Sequence, residues 1–65
     1  MKYVYYDVKE KPSGSDQTIS VAGHNFKQVA IVDAPDIIVA DDILLKTKNI
    51  VVNKTPNIHC KLDIW

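Results

Sequence analysis

Asp33-Ala34-Pro35-Asp36-Ile37-Ile38-Val39-Ala40-Asp41-Asp42-Ile43-Leu44-Leu45-Lys46 can be read in two ways, and the choice decides the fold. As a helix, Asp33 is the N-cap, Pro35 falls in the first turn where its missing N–H is harmless, and Asp36 lies near the positive helix end. Lys46, Lys48 and Asn49 suit the opposite end. Ile37, Ile38, Ala40, Leu44 and Leu45 then share one broad arc with Asp42 and Lys46 across from it, which lets the arc dock on a sheet. As a hairpin, the β-branched Ile37, Ile38, Val39 and Ile43 would form two short strands turning at Ala40-Asp41-Asp42. Helix is the preferred reading of 35–46. It gives an α+β class, a small and mostly antiparallel sheet with one short helix; the hairpin would give an all-β sandwich or barrel.

The flanking segments supply the strands. Lys2 to Lys9 alternate, with Val4, Tyr6 and Val8 on one face and Tyr3, Tyr5, Asp7 and Lys9 on the other. Thr18 to Ala22 and Phe26 to Val32 are β-prone runs joined at Gly23-His24-Asn25, where Gly23 and Asn25 tolerate positive φ, so a hairpin is expected. A short strand is expected at Asn49 to Asn53, ended by Thr55-Pro56-Asn57. Ile58 to Trp65 alternates without a fault: Ile58, Cys60, Leu62 and Ile64 against His59, Lys61, Asp63 and Trp65. Between the first strand and the hairpin, residues 10–17 carry Pro12-Ser13-Gly14-Ser15 and read as a surface loop.

Sixty-five residues fit a single domain spanning 1–65, and a chain this short buries only roughly 60% of its unfolded surface, so oligomerisation or docking would add stability. With 46% hydrophobic and 25% charged residues the chain belongs with folded globules, not disordered segments. Cys60 is the sole cysteine, which excludes an intrachain disulfide and points to a reducing compartment of synthesis. Eight lysines balance eight carboxylates and there is no arginine, so the planar fork that reads phosphates and base edges is missing and nucleic acid is disfavoured as a partner. Charge is segregated: Asp33, Asp36, Asp41 and Asp42 precede Lys46, Lys48, Lys54 and Lys61. No apolar run approaches the ~20 residues of a membrane span, and Met1 to Lys9 does not form a signal-peptide core, so a soluble, unprocessed chain without a membrane partner is expected.

Candidate chemistry is sparse. His24, His59 and Cys60 fall short of the four ligands of a structural zinc site. His59 and Cys60 also point to opposite faces of a strand, so a core thiol and a surface histidine is the expected reading. A Cys60–His24 nucleophile pair lacks a cationic pocket or a helix N-terminus beside the thiol. The aspartates of 33–42 lack the ligand rhythm and glycine of a calcium loop, and Ser13-Gly14-Ser15 lacks the lysine and second glycine of a phosphate loop. No catalytic residue, metal or cofactor is therefore expected. What remains is aromatic: Tyr3 and Tyr5 on the outward face of the first strand, and His59 and Trp65 on the outward face of the last, would form a partner-binding patch if those strands lie close together.

The stretch from Ile19 to Asn53 carries a Val21-x-Gly23-x-x-Phe26-Lys27 motif, then Val29, Leu44-Leu45 and Val51. It resembles a β-β-α-β module of small virion accessory proteins encoded among the structural genes of tailed bacteriophages and prophages. Two features depart from that pattern: Ile37-Ile38-Val39 replaces a helix richer in alanine, glutamate and lysine, and Ile58 to Trp65 lies outside it. The resemblance implies a non-enzymatic virion protein, a capsid decoration, cement or head-tail accessory. Such a protein is made in the host cytoplasm and docked on a capsid or other virion protein. The alternative of the same size and charge is a phage-encoded regulator or inhibitor that binds one host protein.

Overall fold

In the computed structural model, which describes residues 1–55 and 57–63, the chain forms strands β1 (Lys2–Asp7), β2 (Thr18–Val21) and β3 (His24–Asp33), helix α1 (Ile37–Lys48), a 3₁₀ turn (Val52–Lys54) and strand β4 (Ile58–Asp63). The strands make one sheet in the order β2-β3-β1-β4, every neighbouring pair antiparallel. The class is α+β. No helix among the described residues is long and apolar enough to cross a membrane.

The deciding stretch is helical, and its start differs from the expected one. Asp36, not Asp33, is the N-cap: its backbone is extended and its Oδ1 accepts from the Val39 N–H at 2.9 Å. Pro35 therefore stands just before the cap, and the residue preceding a proline is biased to extended backbone, which carries β3 up to the helix. At the other end Asn49 adopts left-handed φ 57° and returns its N–H to the Leu45 carbonyl at 2.9 Å. Asparagine tolerates that conformation, and it closes the helix before residue 50.

The buried stripe of α1 is narrower than the arc read from sequence. Ala40 and Leu44 are fully buried and Ile43 packs beside them. Ile37, Leu45 and above all Ile38, 79% exposed, face away. The strand expected at Asn49 to Asn53 is absent: Ile50 and Val52 instead fold back against the core as the chain enters the 3₁₀ turn. Three residues of short-range bonding (Lys54 N–H to Val51 O, Thr55 Oγ1 to Val51 O) satisfy backbone groups that a ladder would otherwise take.

The β2-β3 connection is tighter than the one expected at Gly23-His24-Asn25. Val21 pairs directly with His24, so the turn is Ala22-Gly23 with φ of 52° and 82°. Two positive φ values match the right-handed twist of the strands, the reason two-residue hairpins favour this geometry.

β3 and β4 run parallel with β1 between them, and α1 links them across β1. The core therefore lies between α1 and one sheet face: Tyr3, Tyr5, Val32, Ala34, Ala40, Leu44 and Ile58, with Cys60 and Leu62 packed against them. This corrects the placement of Tyr3 and Tyr5. They point under the helix, Tyr5 being wholly buried, because directly opposed antiparallel residues share a face and Tyr5 pairs with Cys60 while Tyr3 pairs with Leu62.

Candidate functional site, the uncovered sheet face

β1 is hydrophobic on both faces, and its side chains are buried on both. On the side away from α1, Val4 and Tyr6 are 3% and 8% exposed although no helix or strand among the described residues packs on them. Neighbouring side chains of the sheet shelter them. Tyr6 is stacked by Phe26 of β3 at 5.3 Å between ring centroids and 22° between planes. On its other side lies His59 of β4, at 6.0 Å and 30°. His24 continues the row beyond Phe26 at 6.2 Å. Four rings, His24, Phe26, Tyr6 and His59, thus run across three strands.

A β-bulge makes this row. Tyr5 opposes Ala30 but Tyr6 opposes Gln28, leaving Val29 as an extra residue. Strict alternation would place all even-numbered residues of β3 on one face. The extra residue inverts the phase, so Ala30 and Val32 face α1 while Phe26 and His24 face the opposite side. Val29 itself packs against the core. Ile31 stands beside the row, 52% exposed, and Ile19 and Val21 of β2 lie on the same face opposite Phe26 and His24.

Of the residues expected to bind a partner, the structure brings His59 to this row, exposed. It places Tyr3 and Tyr5 on the other side of the sheet, and Trp65 lies outside the described residues. Tyr6, Phe26 and His24 were not among the partner-binding residues expected from sequence, His24 having been weighed only as a metal ligand or a base for Cys60 and Phe26 only as part of the family-like motif. The available signal was β4, whose unbroken alternation marks Cys60 as core-facing, so that any partner of His59 must belong to the other face.

Behind the sheet, the Tyr5 hydroxyl donates to Asp41 Oδ1 at 2.5 Å. Burial, then this hydrogen bond, pushes the phenol far above its ordinary value. Burial likewise raises the Cys60 thiol, against the opposing pull of its hydrogen bond with Tyr5. A thiol held protonated is a poor nucleophile. Cys60 and His59 point to opposite sides of β4, and no cluster of three metal-ligating side chains occurs among the described residues.

What the arrangement offers chemically is contact area. Stacked rings and exposed isoleucine supply a rigid apolar strip with imidazoles at both ends, a composition typical of interface anchors. No family model, curated protein or solved structure matches this chain.

Proposed function

We propose that this chain is a non-catalytic binding domain that docks on another protein through the uncovered sheet face. The observation that carries the reading is the ring row His24-Phe26-Tyr6-His59 beside exposed Ile31. Tyr6 is buried within the row, but His24, His59 and Ile31 stay exposed around it, and a partner surface would remove that apolar and aromatic area from solvent.

In its specific form, suggested by the sequence resemblance, the partner is a repetitive virion lattice and the chain is a decoration or cement protein present in many copies. A small fold with short edge strands at β2 and β4 suits that role, since neighbouring chains can add to either edge.

The test uses particles purified from the culture that makes the chain. Wild type and an Ile31→Asp, His59→Ala variant are incubated with them, and bound copies are counted by quantitative mass spectrometry. A fixed, high copy number for wild type that is lost in the variant is expected. Absence of the chain from the particles rejects the lattice, and equal binding of the variant rejects this face. Capture of one soluble host protein instead marks the regulator reading.

A further inference from the structure

On the side of the molecule away from the ring row, α1 and the segment after it enclose a groove of about 300 Å³, lined by Ile38, Asp41, Asp42, Leu45, Ile50, Val51 and Val52. Its walls are apolar and open to solvent: Ile38, Leu45 and Val51 are all among the exposed large hydrophobic residues. Ile38, Asp42 and Leu45 recur at helical spacing along one face of α1, so the groove follows the helix for two turns.

Its floor and rim carry negative charge. Asp41 is half-buried and uses Oδ1 to accept from Tyr5, yet no cationic side chain among the described residues lies within 4.0 Å of it. A carboxylate partly removed from water favours a counter-charge. Asp42 is paired with Lys46 at 2.9 Å, an exposed i,i+4 pair of the weak kind that leaves the carboxylate open to a second cation.

We infer that this groove binds a peptide segment of a partner protein in which a bulky aliphatic side chain is flanked by lysine or arginine. The aliphatic group fills the space between Ile38, Leu45 and Val51, and the basic group reaches Asp41 and Asp42. The volume suits one or two side chains, which is the scale of an anchor residue in helix-in-groove recognition. This surface is independent of the ring row and adds a second, charge-selective contact to the same chain.

Fluorescence anisotropy on the intact chain decides it. The probe is a labelled synthetic peptide with leucines one helical turn apart and lysines between them, set against a matched peptide with glutamate for lysine. The lysine peptide is expected to bind at least about tenfold more tightly than the glutamate peptide. Ile38→Asp should abolish that binding and Asp42→Asn should weaken it. Ile38→Asp leaves the fold intact, since the side chain is exposed and aspartate is favourable in a first helical turn; circular dichroism checks this. Ile31→Asp, on the other face, should bind the peptide unchanged, so a failure of the ring-row reading does not touch this result. Equal binding of the two peptides, no binding of either, or undiminished binding to Ile38→Asp overturns the inference. So does sedimentation showing a dimer that Ile38→Asp disperses, because the occupant is then a second copy.

Discussion

Tyr5 on the central strand and Asp41 on the helix, 36 residues apart in sequence, are joined by a hydrogen bond from phenol to carboxylate. Sheet and helix are thus fixed in register by a polar contact set among the apolar ones. Removing the hydroxyl keeps the ring and its packing but leaves Asp41 to find water at the groove. Tyr5→Phe is expected to cost about 1.5–3 kcal/mol of stability, the range for hydrogen bonds to charged groups. Urea denaturation at neutral pH measures it, and an unchanged midpoint would show that the bond contributes nothing net.

Alkaline pH acts on the same pair. Tyr5 has its folded pKa raised above the ordinary phenol value of 10.0 and Cys60 above the ordinary thiol value of 9.0. Below those values both groups are protonated whether folded or unfolded, and their contribution is complete. As pH rises past them, the unfolded chain releases protons that the folded chain retains, so unfolding becomes easier. Stability should decline from about pH 9 upward, and less steeply above about pH 10 in Tyr5→Phe than in wild type. Urea midpoints across that range provide the check; parallel pH curves for the two proteins would contradict it.

The hairpin turn carries a residue poorly matched to its backbone. Ala22 sits at φ 52°, where a Cβ is disfavoured, and the following Gly23 sits at 82°. Ala22→Asn supplies the asparagine-glycine pair that this turn prefers, and should stabilise the chain by about 0.5–1 kcal/mol. Thermal melting provides the readout, with no upward shift counting against the turn geometry.

Stacking across the open face supports the fold as well as offering a surface. Phe26→Ala strips one side of the Tyr6 ring and should cost about 2 kcal/mol from lost burial and lost ring contact. The Tyr6 ring protons should shift in NMR spectra while those of Tyr3 and Tyr5, beneath α1, stay in place. Equal shifts in all three tyrosines would mean that the row is not a local unit.

Elements with one unambiguous face were legible in the sequence. Ile58, Cys60 and Leu62 alternate against His59 and Lys61, and β4 covers Ile58–Asp63 of the strand expected from Ile58 to Trp65, the last two residues lying outside the described ones. The helix over 37–48 was readable from its end signals even though β-branched residues fill its first turn. Its cap was misplaced by one turn because Asp33 and Asp36 are chemically alike, and what separates them is the backbone restriction imposed by Pro35 on Ala34. Orientation of β1 was not legible. Tyr3 and Tyr5 compete with Val4 and Tyr6 as the inward set, and a central strand buried on both faces has no polar side to break the tie. Ile50-Val51-Val52 looked like a strand, but with Asn49 closing the helix in a left-handed conformation the chain reaches core contact without a ladder partner.

Val29 divides β3 into two halves with separate obligations. Substitutions at Ala30 or Val32 are judged by the packing under the helix, and those at Phe26 or His24 by the ring row on the other face. One strand can therefore keep its helix-facing core constant while its outer half changes, and what such a change loses is confined to the stacking on Tyr6.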